Sequence, residues 1–391
     1  MLLVVDGVTT TTPLPDAFNR GDVVEARWKR LDAPPSVPDA VSMVEWVKTH
    51  RRELLLPPLP RKLARSRYVK QPKFQLLGLV FPEEGPEVGE TRDAWVFLYV
   101  PREGAPHLIE HQVLSWEERN RRVRGLAPIA NKNIVVLGLG TLGGPVAMEL
   151  ARAGVGRLDL VDFDRFDVNN SVRHVLTTDF SGLPKTFGMG IVCRRANPFG
   201  AVEEHQLRFG DVDWHPPSSL DRLVDLIDTA DLVVETTGSH QLQRLMGRLC
   251  LESATPFVSC WLTDGFLGGH VVRTVPEKTQ CYLCFATALA NGELPVAEAA
   301  ADASVVAQGC SHPTTTGAGF DAFELAAITS RLVVQTLLQP TKGDDHIVVN
   351  FYRRTNDEVF PRFVSAELPR TDGCERCQSD VGYMKTLSKS L

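Results

Sequence analysis

Apolar residues in this chain gather in short unbroken runs, and between the runs they recur at helical spacing. Ile134-Val135-Val136-Leu137 has no polar member, the pattern of a strand covered on both faces. Leu158 to Val161, Val202 to Phe209, Asp231 to Glu235 and Pro256 to Trp261 also read as strands, with polar residues interspersed. The segments between them read as helices. Pro145 to Ala153 is closed by Gly154, Lys185 to Ala196 by Asn197-Pro198, and Ser219 to Thr229 turns Leu220, Leu223, Val224 and Ile227 inward. Strands alternating with helices at this rhythm predict a doubly wound, largely parallel α/β sheet. Gly265 to Val275 is expected as a further strand, Ile347 to Tyr352 with Val359 to Val364 as a final antiparallel pair, and Phe320 to Leu338 as a long helix burying Phe320, Leu325, Ile328, Leu332, Val333 and Leu337.

Residues 1–125 have another texture. Prolines cluster, arginines scatter through 51–67, Ser42 to Leu56 has helical spacing, and Phe74 to Phe81 and Ala94 to Val100 read as strands joined by a loop from Pro82 to Arg92. A small α+β module of unassigned role is expected here, followed by a main domain at 126–380 and a flexible tail at 381–391. A net charge of −6 without a basic stripe argues against general nucleic-acid binding. No apolar run reaches membrane-spanning length, and the N-terminus meets Asp6 without a basic region before it, so the expectation is a cytoplasmic protein.

The first strong run opens into Gly138-Leu139-Gly140-Thr141-Leu142-Gly143-Gly144, glycines placed where a strand stops and a helix starts. Such a turn brings backbone N–H groups close to a phosphate. The next strand delivers Asp162, about where a Rossmann-type unit holds a ribose hydroxyl. A dinucleotide site remains possible on these features, but Arg173 and Lys185 beside the turn suit a triphosphate better than a nicotinamide. Two Cys-x-x-Cys pairs, Cys281/Cys284 and Cys374/Cys377, suit tetrahedral zinc in a site with no open position. Cys193, Cys250, Cys260 and Cys310 are expected as thiols outside any disulfide.

The order Asp162-x-Asp164, Asn170-x-x-Arg173 and Pro184-Lys185 resembles the ThiF/MoeB superfamily, which includes the ubiquitin-activating enzymes and their bacterial relatives. The resemblance covers about Lys132 to Cys377. It implies adenylation by ATP and Mg2+ of the C-terminal carboxylate of a ubiquitin-like or sulfur-carrier protein. It also implies a structural Zn2+ on the four cysteines, a homodimer, and nucleotide contacts from Gly138, Gly140, Gly143, Asp162, Asp164, Asn170, Arg173 and Lys185. Cys310 lies where relatives that form thioesters carry the acceptor cysteine on a crossing segment, so a thioester and transfer to a conjugating enzyme are expected, with His312 placed to help ionise the thiol. An arginine near Arg121 reaches a phosphate in such enzymes. This chain departs from the pattern at Gly238, where relatives place a metal-binding aspartate; Glu235 or Asp164 would then be recruited to the ion. Three alternatives stay open: a sulfur-carrier adenylyltransferase without a thioester, a binding scaffold with a weakened site, and an NAD-dependent oxidoreductase.

Overall fold

A computed structural model of the protein describes residues 2–5, 26–35, 40–50, 74–84, 89–101, 107–109, 111–114, 116, 119, 122–123, 125–208, 219–301, 304–305, 314–340, 342–351, 361–368 and 374. The chain divides into two compact units, Met1–Arg122 and Val123–Leu391.

In the first unit, β1 (Leu2–Val5) pairs in parallel with β6 (His111–Leu114). A separate sheet has the order β2 (Ala26–Arg30), β3 (Phe74–Glu84), β4 (Thr91–Pro101), β5 (His107–Ile109). Helix α1 (Ala40–Thr49) buries Val47 against Leu77, Leu79 and Leu98 of this sheet. Strand β3 runs past the expected Phe81 because Pro82, Glu83 and Glu84 continue the antiparallel ladder opposite Asp93, Arg92 and Thr91.

The second unit is built on an eight-stranded sheet. Its strands are β7 (Asn133–Leu137), β8 (Arg157–Val161), β9 (Ala201–His205), β10 (Leu232–Glu235), β11 (Phe257–Leu262), β12 (Gly268–Thr274), β15 (His346–Asn350) and β16 (Arg362–Ala366). The order β9-β8-β7-β10-β11 is parallel throughout, and β12, β15 and β16 extend it antiparallel. Between β12 and β15 lie a short hairpin, β13 (Ser304–Val305) and β14 (Thr314–Thr315), and the helix that precedes β15.

Strand alternation divides the core into two layers. Ile134, Val136, Leu158, Leu160, Val234 and Val258 face α2 (Gly143–Ala153), α3 (Lys185–Ala196) and α7 (Gly319–Leu338). Val135, Leu137, Val161, Val233 and Phe257 face α4 (Ser219–Thr229), α5 (His240–Glu252) and α6 (Tyr282–Ala290). Helix α2 stops at Gly154, whose φ of 98° only glycine adopts readily.

Two expected core residues are corrected. Leu220, in the first turn of α4, is 43% exposed, and Phe320 on α7 is 68% exposed. The buried face of α7 combines the expected Leu325, Leu332 and Val333 with small residues, Ala322, Ala326 and Ser330 among them. Phe320 and Phe323 stand on the other side. No described helix is long and apolar enough to cross a membrane.

Candidate functional site

Strands β7, β8 and β10 end at one edge of the sheet. From β7 the chain builds β8 and β9 to one side, and then β10 and β11 to the other, so the carboxyl ends part beside β7. Crevices at such a reversal are where open α/β sheets take ligands. A cleft of about 950 Å³ opens there, and it is lined by residues from the glycine turn, the acidic tip, the ends of β7, β8, β10 and β11, and Thr315 of β14.

Gly138, Gly140 and Gly143 of the turn do three different jobs. Gly138 has a φ of 82°, and a Cβ on it would lie 2.8 Å from the Thr237 side chain. Gly140 faces open space, with no atom within 4 Å of where a Cβ would stand, and it lines the cleft. Gly143 is a packing residue: a Cβ would come within 1.8 Å of the Gly138 carbonyl oxygen. The turn is also tied to β10, since the Thr236 hydroxyl donates to the Gly138 carbonyl at 2.7 Å. Helices α2 and α5 both begin at the cleft, with Leu142 and Ser239 as the residues preceding their first turns. Their N-termini add partial positive charge favourable to an anion.

Asp162 is locked in place. One carboxylate oxygen accepts the Leu139 N–H at 2.6 Å, and the other accepts the Asp164 N–H at 2.8 Å. Beyond it the chain loops out and returns through an isolated antiparallel bridge between Arg165 and Pro184. That return sets Lys185 beside Asp164: the Lys185 amide donates to the Asp164 carbonyl at 2.9 Å, and its Nζ lies 2.9 Å from the Asp164 carboxylate. Within the loop, Asp167 caps a 3-10 helical turn, Val168–Val172, whose Asn170 carbonyl accepts the Arg173 amide. The Arg173 guanidinium crosses the cleft, donating to the Thr315 carbonyl and lying 5.7 Å from the centre of the Phe266 ring.

Glu235 is fully buried at the end of β10. It accepts hydrogen bonds from the Thr237 amide at 2.8 Å, the Thr237 hydroxyl, and the Ser259 hydroxyl at 3.0 Å. Burial pushes its carboxyl up, and these donors oppose that. Its side chain therefore holds the β10–α5 turn, and Asp162 and Asp164 are the carboxylates that line the cleft among the described residues. Gly238 also lines it, at φ 73° with nothing within 4 Å of a Cβ.

Away from the cleft, Cys281, Cys284 and Cys374 bring their sulfurs within 4.8 Å of one another, and Cys281 and Cys284 are buried. Three soft donors, gathered from positions far apart in the chain, fit a zinc ion and a fourth thiolate. Cys377 lies outside the described residues. Cys193, Cys250 and Cys260 are buried among apolar side chains. Burial pushes their thiols up, to about 12 for Cys193 and Cys260, which leaves them chemically inert.

The cleft thus gathers Gly138, Gly140, Asp162, Asp164, Arg173 and Lys185 from the expected set. Gly143 packs behind the turn, and Asn170 meets Arg173 through its backbone, so neither lines the cleft. Cys310, His312 and Arg121 lie outside the described residues. Thr236 and Thr237 also line it, as their place just past the end of a buried strand leads one to expect, whereas sequence reading missed Trp261, Phe266 and Thr315. Thr315 stands 142 residues from Arg173, and no local pattern marks it.

The ThiF family model matches residues 116–374, and the chain belongs to that family. Among curated proteins, uncharacterized protein y4oA of Sinorhizobium fredii (strain NBRC 101917 / NGR234) is 26% identical over 376 residues, covering 92% of this chain and 62% of its own. Uncharacterized protein y4qC of the same strain is 35% identical over 228 residues, covering 56% and 39%. Ubiquitin-like modifier-activating enzyme 5 of Drosophila persimilis is 26% identical over 275 residues, covering 68% and 66%. The chain spans less than two thirds of the length of each of these relatives. Among solved structures, E. coli MccB with ATP aligns at 20% identity and a TM-score of 0.47, covering 64% of this chain and 68% of that one.

Proposed function

We propose that this protein is an ATP-dependent adenylyltransferase that activates the C-terminal carboxylate of a ubiquitin-like or sulfur-carrier protein. One observation carries the reading: a glycine turn, a ribose-type aspartate and two cations, Arg173 and Lys185, converge on one cleft. Membership of the ThiF family and likeness to a ubiquitin-like modifier-activating enzyme support it.

The turn would receive the phosphates on its backbone amides, and Asp162, already oriented, would accept from a ribose hydroxyl. A carboxylate oxygen of the partner attacks the α-phosphorus of ATP, the bond from that phosphorus to the bridging oxygen breaks, and pyrophosphate leaves with the electron pair. Arg173 and Lys185 would stabilise the charge that builds on the phosphoryl oxygens, which requires Lys185 to exchange Asp164 for phosphate. Asp164 would then be left to hold Mg2+, whose chemistry is to neutralise the phosphates.

Thr315 on the cleft lies a few residues after Cys310, and this supports a second step. The Cys310 thiolate would attack the acyl carbonyl, forming a thioester and releasing AMP, and a conjugating enzyme would take the acyl group. A sulfur-carrier enzyme would stop at the adenylate. We place the adenylation domain at 126–380, with a zinc clasp completed by Cys377. The module at 1–125 would dock a partner or complete a homodimer.

Pyrophosphate–ATP exchange by the full chain, with and without small proteins ending in Gly-Gly, tests the reading. Exchange that depends on such a protein is the expected result. ATP binding without exchange would favour a binding scaffold, for which Gly238 is the specific support, and binding of NAD without ATP would favour an oxidoreductase. Cys310→Ala should retain exchange and lose the thiol-sensitive covalent adduct.

A further inference from the structure

His174 follows Arg173 directly, yet it is only 7% exposed and lies behind the cleft. Its Nδ1 accepts the Leu176 N–H at 2.9 Å, which leaves the ring proton on Nε2, and Nε2 donates to the Leu139 carbonyl at 2.6 Å. Burial pushes the imidazole down to about 4, so the ring is neutral near pH 7 and keeps this tautomer. Phe166 meets the ring edge-on at 5.2 Å between centroids. From another side Gly144 closes in, where a Cβ would stand 3.2 Å from the ring Cε1. The imidazole therefore has little room to turn.

Leu139 is gripped at both ends. Its N–H donates to Asp162, and its carbonyl accepts from His174. In a trans peptide the carbonyl and the following N–H point in opposite directions. Drawing the Leu139 carbonyl back onto His174 turns the Gly140 N–H the other way, and Gly140 lines the cleft. A backbone amide aimed at a phosphate oxygen is the element such turns supply.

Building on the adenylyltransferase reading, we propose that His174 is a positioning residue for the phosphates of the nucleotide. It aims the Gly140 amide, and it ties that amide to the segment bearing Arg173, so one side chain sets the register of a backbone donor and a guanidinium. Asp162 is held as well by the Asp164 N–H, so the ribose contact keeps an anchor that His174 does not touch. Loss of His174 should therefore weaken recognition of phosphate and spare recognition of the nucleoside.

The test titrates the full chain with magnesium ATP and with adenosine, read by displacement of a fluorescent ATP analogue. His174→Gln places an amide donor near the Nε2 position, whereas His174→Asn stops short of the Leu139 carbonyl. The Asn variant should weaken ATP about tenfold and leave adenosine within about twofold, the scale of one hydrogen bond. The Gln variant should hold both within about threefold. Gly144→Ala, which presses on the ring without removing the donor, should weaken ATP alone by several-fold; it decides the matter if His174→Asn does not fold. Equal losses for ATP and adenosine, normal ATP binding by both His174→Asn and Gly144→Ala, or failure of Gln to rescue would overturn the proposal. If the unsubstituted chain exchanges pyrophosphate and the variants still fail to discriminate, only the role of His174 falls. If the unsubstituted chain binds no ATP, the adenylyltransferase reading falls with it.

Discussion

Alanine placed in turn at Gly138, Gly140 and Gly143 should separate stability from binding, because the structure assigns each glycine a different reason for lacking a side chain. At Gly143 the new Cβ would stand 1.8 Å from the Gly138 carbonyl oxygen and 2.4 Å from the Thr236 hydroxyl. Backbone cannot step aside as a side-chain end can, so the cost sits at the top of the overpacking range, about 3 kcal/mol. For a unit of this size that lowers Tm by roughly 6–12 °C. At Gly138 the φ of 82° costs alanine about 1–2 kcal/mol, with some addition from Thr237 at 2.8 Å. At Gly140 nothing stands within 4 Å and φ is not left-handed, so alanine should leave stability unchanged or raise it by about 0.5 kcal/mol. The methyl would nevertheless project at the cleft, between the turn and a phosphate, and ATP affinity should fall at least about tenfold. Urea denaturation and ATP titration on the same three variants check this. A Gly140→Ala protein as unstable as Gly143→Ala, or one that binds ATP normally, would refute the assignment of roles.

Gly238→Asp should cost about 1 kcal/mol, because φ is 73° and the new side chain meets nothing within 4 Å; ATP titrations with and without Mg2+ should show a larger metal effect than in the unsubstituted chain. Asp159 makes a pH prediction. Burial alone would raise its carboxyl, but hydrogen bonds from His205 and Arg157 hold it down at about 2. A depressed folded-state value means that this group's stabilisation is complete above about pH 5 and is lost as pH falls through about 4 to 2. The loss should reach about 2–3 kcal/mol, and urea denaturation across that window should show the slope shrinking in Asp159→Asn. Metal analysis should find about one zinc per chain, and Cys281→Ser should lose it. Arg173→Lys should fold normally yet slow pyrophosphate exchange about 100-fold, since an ammonium cannot reproduce a planar guanidinium that spans the cleft.

The sequence by itself determined the strands of the eight-stranded sheet and their order along the chain. Strand runs such as Ile134 to Leu137 and glycines at the end of a strand are local patterns, and local backbone physics is enough to read them. It also named the charged residues that line the cleft, because Asp162, Asp164, Arg173 and Lys185 are close along the chain and follow one strand. Tertiary structure decided what required the chain to close on itself. Only the fold showed that Glu235 turns into the protein to hold Thr237 and Ser259, that Thr315 crosses to Arg173, and that His174 grips the back of the glycine turn. It also decided that Ala322 and Ala326 join Leu325, Leu332 and Val333 on the buried face of α7 while Phe320 stays exposed. Hydrophobicity along a chain records what can be buried, whereas what is buried depends on which surfaces meet and how closely.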